Sequence, residues 1–86
     1  MQADKATITR LLKTARGQID GILKMVEEDR YCIDISNQVM AAEAMLKKTN
    51  REIIKAHIKG CVKNAVEAGD DEKIDELLEV IEKIAK

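Results

Sequence analysis

The sequence predicts an all-α fold with three helices in a single domain, residues 1–86, and three observations support this. Apolar residues recur at intervals of three and four along almost the whole chain, which is the period of an amphipathic helix. No segment carries the alternating pattern of a half-buried strand. The chain has no proline and one aromatic residue, Tyr31, so Ile, Leu, Val, Met and Ala must fill the core.

The first helix is predicted from about Lys5 to about Glu28. Gly17 and Gly21 lie within it, and because a glycine costs about 1 kcal/mol in a helix interior, we expect the pair to serve close packing. The polar residues 27–30 predict the turn that follows. The apolar stripe of this helix consists of Ile8, Leu11, Leu12, Ala15, Ile19, Ile22, Leu23 and Val26.

The second helix is predicted from about Tyr31 to about Glu67. Gly60 lies inside this segment and marks a point where the helix could bend or end. The apolar stripe of the second helix consists of Ile35, Val39, Ala42, Leu46, Thr49, Ile53, Ala56 and His57.

The third helix is predicted from about Glu72 to about Ala85, because Gly69 gives a stop signal and Asp70 and Asp71 give an N-cap signal. Its acidic first turn suits the helix dipole. Its apolar face consists of Ile74, Leu77, Leu78, Ile81 and Ile84. A chain of 86 residues is near the lower limit for burying a stable core alone, so we expect it to oligomerise.

Charge is unevenly spread along the chain, although the net charge is only −1. Residues 1–24 sum to +3 and residues 43–63 to +4, whereas residues 25–42 sum to −3 and residues 64–86 to −5. The basic segments allow nucleic-acid binding without requiring it. The isoelectric point near 5.8 argues against strong non-specific binding to DNA.

The composition also predicts where the protein works and what it is not. The N-terminal residues are polar and form no apolar signal segment, and no apolar run approaches the roughly 18 residues of a membrane span. Two cysteines without a secretion signal fit the reducing cytoplasm, so we expect a cytoplasmic protein with no membrane partner. No Ser/His/Asp set, glycine-rich phosphate loop or C-x-x-C pair is present, which predicts no enzyme activity and no small-molecule substrate.

Cys32, His57 and Cys61 are the entire stock of cysteine and histidine in the chain. His57 and Cys61 are four residues apart and lie on one helix face, whereas Cys32 would lie roughly 37 Å from His57 along the same helix. The three side chains can therefore meet only if the helix breaks or if two copies run antiparallel. At about 100° per residue all three fall on one stripe. Paired helices would form two equivalent sites about a two-fold axis near Met45 and Leu46.

Two thiolates and one imidazole form a ligand set for a soft metal. Cu(I) accepts three such ligands, whereas Zn(II) requires a fourth ligand and Ca(II) and Mg(II) take oxygen ligands. Each residue also has a plainer interpretation, since free cysteines are often buried as small hydrophobes and a histidine can belong to a core. The spacing alone therefore leaves metal binding, thiol chemistry and simple packing open.

The basic side chains of the first two helices are Lys5, Arg10, Lys13, Arg16, Lys47, Lys48, Arg51, Lys55 and Lys59. Such a run is most often a solvated helix face. No helix-turn-helix pattern, zinc-finger spacing or aromatic stacking platform accompanies it. Any contact with DNA would therefore use the outer face of a helical bundle.

Two sequence elements resemble the CsoR family of copper-sensing transcriptional repressors, and the likeness covers nearly the whole chain. They are R-G-Q-I-D-G-I at residues 16–22 and M-V-E-E-D-R-Y-C-I-D-I at residues 25–35, followed by His57 and Cys61. Relatives within that family sense nickel or cobalt, formaldehyde, or persulfide.

The resemblance implies a three-helix protomer, a dimer built on an antiparallel four-helix bundle, and a tetramer made as a dimer of dimers. It implies one Cu(I) per protomer, bound across the dimer interface by Cys32 of one protomer and by His57 and Cys61 of the other. It implies supporting contacts to these ligands from Tyr31 and Glu76. The protein would then bind operator DNA as metal-free repressor and release it when copper binds.

The resemblance also implies which side chains contact DNA, with one departure from the family pattern. The phosphate-contacting arginine of the second helix corresponds to Lys48. The family usually carries Arg-Leu-Lys in the first helix, where this chain has Leu11-Leu12-Lys13 and Arg10 one residue earlier. One residue rotates a side chain by about 100°, so operator affinity or preference can differ from that of the family. The DNA-binding residues we predict are Arg10, Lys13, Arg16 and Lys48.

We therefore expect a Cu(I)-responsive repressor, with two alternatives. In the first, a thiol sensor on the same scaffold, Cys32 and Cys61 join across protomers as a disulfide or polysulfide. In the second, the protein buffers copper and has lost DNA binding. In the expected mechanism, copper on one nitrogen of His57 leaves the other N–H to bond with Tyr31 or Glu76, which draws the third helix toward the bundle and disfavours DNA binding.

Overall fold

A computed structural model describes residues 1–85, and these form three α-helices, as the sequence predicted. The helices are α1 (Lys5–Glu27), α2 (Cys32–Ala68) and α3 (Asp71–Ala85). Their ends differ from the predicted ends by one residue at most, which is within the ordinary uncertainty of helix limits. α2 is one unbroken helix of 37 residues, so Gly60 neither ends nor interrupts it.

The three helices lie side by side in a single layer. Because only residues 28–31 connect them, α1 and α2 pack as an antiparallel hairpin, and α3 packs on the C-terminal part of α2. The molecule measures 57 × 27 × 12 Å, and its thinnest dimension is close to the diameter of one helix. A domain normally buries its apolar faces between two layers, so a single layer leaves such faces open to solvent.

Two of the helices end in the same backbone motif. At the end of α2, Gly69 (φ 67°) and Asp70 donate their N–H groups to carbonyls of the last turn at 3.3 and 2.9 Å. At the end of α1, Asp29 (φ 50°) and Arg30 do the same at 3.1 and 3.0 Å. This is the Schellman pattern, in which a left-handed residue satisfies carbonyls that the helix leaves unpaired.

Aspartates cap the beginnings of α1 and α3. Asp4 accepts hydrogen bonds from the backbone N–H of Thr7 at 3.0 Å and from the Thr7 hydroxyl at 2.6 Å. Asp70 accepts a hydrogen bond from the backbone N–H of Lys73 at 3.2 Å. Each carboxylate satisfies an N–H group that has no partner inside the helix.

The core lies along the seam between α1 and α2 and under α3. Its buried side chains are Ile8, Leu11, Ala15, Ala42, Thr49, Ala65 and Leu77. Thr49 is polar, and its hydroxyl donates to the carbonyl of Met45 at 2.8 Å. No large side chain of the described residues is completely buried, so one chain alone makes a thin core.

Many large apolar side chains remain exposed on all three helices. They include Leu12, Ile19, Leu23 and Val26 on α1, Ile33, Val39, Met40, Leu46, Val62 and Val66 on α2, and Leu78 and Ile81 on α3. A Cβ atom added at Gly17 or Gly21 would meet no atom within 4 Å, so the close packing expected there is not made within the chain. No helix in the described part of the chain is both long and apolar enough to cross a membrane.

Candidate metal centre

His57 and Cys61 form a close pair on the C-terminal half of α2. The sulfur of Cys61 lies 3.4 Å from Nε2 and 3.7 Å from Nδ1 of His57. The spacing of four residues explains this, because such residues are neighbours on a helix surface. His57 is exposed and Cys61 is half-buried, so a ligand can reach the pair from outside the layer.

The geometry of this pair fits shared coordination of one metal ion. Two ligands bound at about 2.3 Å through sulfur and about 2.0 Å through nitrogen lie about 3.5 to 3.7 Å apart at tetrahedral or trigonal angles. The observed sulfur–nitrogen distances of 3.4 and 3.7 Å match that separation. The two side chains could therefore bind a metal with little rearrangement of α2.

Cys32, the third candidate ligand, lies at the opposite end of the same helix. It is the first residue of α2 and is exposed. Because α2 is unbroken, a rise of 1.5 Å per residue places Cys32 roughly 37 Å from His57. Within residues 1–85 of one chain, no three His, Cys, Asp or Glu side chains cluster closely enough to hold a metal ion. One chain therefore offers two adjacent ligands and a distant third thiol.

Tyr31 and Glu76, the predicted supporting residues, lie on different elements: Tyr31 is at the end of α2 opposite the His57–Cys61 pair, and Glu76 is on α3. Tyr31 is the N-cap residue of α2, next to Cys32, and is 67% exposed. Glu76 lies on α3, where its Oε2 is 3.5 Å from Nζ of Lys73 in an exposed ion pair.

The predicted DNA-binding residues of α1 form a continuous exposed strip. Arg10 and Lys13 line a shallow depression together with Lys5, and Lys13 also lines the adjoining depression with Arg16. Lys48 is exposed on α2, outside both depressions. The structure thus joins the three α1 candidates into one cationic surface and places the fourth on the neighbouring helix.

Leu11 stands where the resemblance to the CsoR family implies an arginine, and it belongs to the core. Its side chain is 4% exposed and packs into the seam between α1 and α2. The leucine at this position offers no charge to a phosphate. The cationic surface of α1 must therefore be supplied by its exposed neighbours, Arg10 and Lys13.

Two features near the His57–Cys61 pair were not predicted from the sequence. A Cβ atom at Gly60 would lie 2.9 Å from Oε1 of Gln2, so the N-terminal segment crosses α2 one residue before Cys61. A cavity is also lined by Cys61 together with two residues of opposite charge, Asp70 and Lys73. In the sequence these features correspond to a lone glycine inside a helical pattern and to a helix-capping aspartate. Neither of these indicates a binding site.

Comparison with known proteins identifies the family. Residues 4–83 match the family described as metal-sensitive transcriptional repressor. The chain belongs to this family. The copper-sensing transcriptional repressor CsoR of Bacillus subtilis (strain 168) is 43% identical over 84 residues, which cover 96% of this chain and 83% of that protein.

Two solved structures resemble this repressor closely. The nickel-responsive transcriptional regulator InrS superposes with a TM-score of 0.86 at 27% identity, over 98% of this chain and 96% of that one. The copper-sensing repressor CsoR with Cu(I) from Geobacillus thermodenitrificans NG80-2 gives a TM-score of 0.84 at 37% identity, over 100% and 94%.

These comparisons confirm the family and the all-α fold that the sequence predicted. They also confirm that the protein is not an enzyme, because the family consists of transcriptional regulators. One structural relative responds to nickel and the other binds Cu(I). The structural relatives therefore differ in the metal that they bind or respond to.

Proposed function

We propose that this repressor responds to Cu(I), binding operator DNA without metal and releasing it when Cu(I) binds. The observation that carries the proposal is the His57–Cys61 pair at 3.4 Å, together with the single remaining thiol, Cys32, on the same rigid helix. The copper-sensing repressors among its relatives support the same assignment.

The donor set favours Cu(I) over other metals. Cys32, His57 and Cys61 are the only cysteines and histidine of the chain, so each site can receive two sulfur donors and one nitrogen donor. Soft thiolate ligands select Cu(I), which is stable with three ligands, whereas Zn(II) requires a fourth ligand. One bound Cu(I) ion would hold the side chains of Cys32, His57 and Cys61 together. Both thiols must be reduced for this, which agrees with a cytoplasmic location.

We propose that the site is completed across an antiparallel dimer, with Cys32 of one protomer beside His57 and Cys61 of the partner subunit. The single-layer shape and the exposed apolar faces support a second copy as the missing layer. Leu46, near the proposed two-fold axis, is 44% exposed and available for that contact. The dimer would hold two Cu(I) ions, one per protomer.

We further propose that two dimers join as a tetramer. An apolar cleft between α2 and α3, lined by Ile54, Ile58, Ile81 and Ile84, supports a contact additional to the dimer interface. Leu78 on α3 is also 54% exposed. Native mass spectrometry of the reduced, metal-free protein should give a mass of four chains. A stable species of two chains at the same concentration would reject the tetramer.

The proposed operator contacts are the strip of Arg10, Lys13 and Arg16 on α1 together with Lys48 on α2. Phosphate contacts make affinity depend on salt, and removing one contact reduces the slope of log K against log[salt] by about 1. We expect Lys13→Ala to weaken binding to DNA from upstream of its own gene and to reduce this slope. Lys83→Ala removes the same charge from exposed α3 and should change neither quantity.

In this proposal, metal binding changes DNA affinity through the contacts of α3. The exposed Lys73–Glu76 pair is worth no more than about 1 kcal/mol, so Glu76 can leave it to accept a hydrogen bond from the free N–H of His57. We expect Glu76→Ala to bind Cu(I) nearly as tightly as the wild type while losing part of the copper-dependent fall in DNA affinity. Unchanged copper-induced release in that variant would remove Glu76 from the mechanism.

An anaerobic Cu(I) titration against a competing chelator tests the function directly. We expect one Cu(I) per chain, and a large loss of affinity in His57→Ala and in Cys61→Ser. DNA binding by the metal-free protein, measured at stated salt, should fall as Cu(I) is added. If the metal-free protein does not bind this DNA even at low salt, the copper-buffering alternative replaces the repressor.

A thiol sensor on the same scaffold is favoured by one observation, the accessibility of Cys32 and Cys61 as free thiols. His57 separates this function from copper sensing, because disulfide or polysulfide formation does not need an imidazole ligand. If His57→Ala keeps its full response to the inducer of the wild type, the thiol sensor is correct.

A further inference from the structure

A cavity of about 230 Å³ lies at the junction of α2 and α3, and Cys61 is one of its lining residues. This is below the roughly 300 Å³ at which pockets for drug-sized ligands begin, so it suits a molecule the size of one amino acid. The cavity is lined by Cys61, Asn64, Ala65, Ala68, Asp70 and Lys73.

The lining combines a thiol with two opposite charges. Cys61, Asn64 and Ala68 follow each other at helical spacing and form the wall contributed by α2. Asp70 and Lys73 form the other wall at the start of α3, where the carboxylate of Asp70 caps the helix at 3.2 Å from the Lys73 backbone nitrogen. The Lys73 ammonium pairs with Glu76 at 3.5 Å, and this exposed pair is weak enough to exchange.

We propose that this cavity docks a small thiol that carries an α-amino-acid group, and that such a thiol delivers Cu(I) to Cys61. The delivery role rests on the proposed copper function. The carboxylate of the carrier would pair with the ammonium of Lys73, and its own ammonium would pair with the carboxylate of Asp70. Its sulfur would then lie at the Cys61 thiol.

The charge pattern selects a zwitterion over simpler ligands. Asp70 repels an anion such as phosphate, and Lys73 repels a free cation, because each lies in the same small cavity as the other. A neutral thiol can reach Cys61 but gains nothing from either charge. A ligand with both charges and a sulfur atom can interact with Asp70, Lys73 and Cys61 together.

The transfer is an exchange of sulfur ligands without oxidation or reduction. The sulfur of Cys61 forms a bond to Cu(I), and one bond between Cu(I) and the carrier sulfur breaks. The proton that leaves the Cys61 thiol is taken up by the departing carrier thiolate. Cu(I) stays Cu(I), and the adjacent imidazole of His57, 3.4 Å from the sulfur, is the next ligand to bind.

Stopped-flow measurement of Cu(I) transfer tests the delivery role. The carriers are Cu(I)–cysteine and, as neutral control, Cu(I)–2-mercaptoethanol. We expect Lys73→Ala and Asp70→Asn to slow transfer from the cysteine complex by up to about fivefold, the upper end for one exposed ion pair. Asp70→Asn keeps the helix cap, since asparagine caps as well as aspartate.

Transfer from Cu(I)–2-mercaptoethanol should stay unchanged in both variants, and Lys83→Ala should behave as wild type with both carriers. Equal slowing with both carriers would overturn the proposal, because it would mean a general change at Cys61. Rates that do not change in any variant would also overturn it.

A metal-free titration tests the cavity independently of copper. We expect S-methylcysteine, which cannot exchange disulfides, to shift the amide NMR signals of Asn64, Ala68 and Lys73 with a dissociation constant on the order of millimolar. The neutral analogue 2-(methylthio)ethanol should not shift them.

The S-methylcysteine titration and the Cu(I) measurements test the cavity and the copper function separately. If the protein binds Cu(I) tightly but S-methylcysteine shifts no signal, the cavity proposal is wrong and copper sensing stands. If S-methylcysteine binds and Cu(I) does not, the docking site stands and both the delivery role and the copper function are wrong.

Discussion

Leu11 and Thr9 are close in sequence on α1, but their surroundings differ. Leu11 is 4% exposed in the seam with α2, whereas Thr9 is exposed beside the basic strip. Arginine at position 11 would therefore disturb the packing of the seam with α2. We expect Leu11→Arg to lower the free energy of unfolding by about 1 to 3 kcal/mol. Thr9→Arg, the matched control, should change it by less than about 0.5 kcal/mol in chemical denaturation at equal protein concentration.

The same two variants test the origin of DNA affinity. Thr9→Arg adds a charge next to Lys13 and should strengthen binding to DNA, since the added arginine can reach a phosphate. Leu11→Arg should not strengthen it, although it places arginine where the family usually has one. If Leu11→Arg folds normally and binds DNA more tightly, position 11 is a surface position and the packing described for α1 is wrong.

Asp4 makes the stability of α1 depend on pH. Hydrogen bonds from the Thr7 hydroxyl and then from its backbone N–H hold the pKa of Asp4 below its ordinary value of 3.8. A lowered folded-state pKa contributes stability that is complete above the ordinary value and is lost as the pH falls through the lowered one. We expect Asp4→Asn to flatten part of the acid decline in melting temperature below about pH 4. Asp20→Asn, an exposed change in mid-helix, should leave that decline as in the wild type.

The contacts and burial of some of these residues could be predicted from the sequence, and those of others could not. The contact between His57 and Cys61 could be predicted because it depends only on helix geometry. The difference between Leu11 and Leu12 could not, since both lie on the apolar stripe and only the position of α2 decides which one is buried. The approach of Gln2 to Gly60 could not be predicted either. Gln2 lies in the irregular segment before α1, which has no repeating pattern that would indicate its path.

At the scale of whole elements, the ends of α1 and α2 offer a matched pair of tests. Gly69 and Asp29 occupy equivalent left-handed positions, with φ of 67° and 50°. A Cβ atom at Gly69 meets nothing within 4 Å, so a side chain there is penalised by the backbone conformation alone. We expect Gly69→Ala to cost about 1 kcal/mol and Asp29→Gly to gain up to about 1 kcal/mol in free energy of unfolding. Thermal melts of both variants that shift in the same direction would contradict this.

The lengths of the helices and the end of α2 followed from the sequence, whereas the residue that ends α1 did not. Gly69 was predictable as a stop because glycine is common in the left-handed position after a helix. Asp29 was hidden among four polar residues, any of which could have taken that conformation. Gly60 did not interrupt α2, since one glycine costs only about 1 kcal/mol in a long helix that packs on both other helices.

The whole molecule is a single layer 12 Å thick, and its candidate metal ligands are split between the two ends of α2. The sequence predicted that split, because Cys32 and His57 are too far apart on an unbroken helix to meet. The sequence could not predict which helix faces contact a second copy, because exposed apolar residues lie on all three helices. An experiment on mixed dimers can decide whether the site is shared between chains.

If the site is shared, one protomer with Cys32→Ser and one with Cys61→Ser can complement each other. The intact Cys32 of the second chain would meet the intact His57 and Cys61 of the first, which makes one complete site per mixed dimer. The other site would lack both thiols. We therefore expect this mixed dimer, purified through two different affinity tags, to bind one Cu(I) tightly, while each variant alone binds none with that affinity.

The matched control carries both substitutions on one chain. A mixed dimer of wild type with the double variant Cys32→Ser/Cys61→Ser has the same composition, but each shared site lacks one thiol, so we expect no tight Cu(I) binding. A site within one chain predicts the opposite result for both mixtures, since the wild-type chain would then keep all three ligands. Tight binding by the wild-type/double-variant dimer, without binding by the complementary dimer, would therefore disprove the shared site. The distance of roughly 37 Å between Cys32 and His57 along an unbroken α2 is the physical reason to expect complementation.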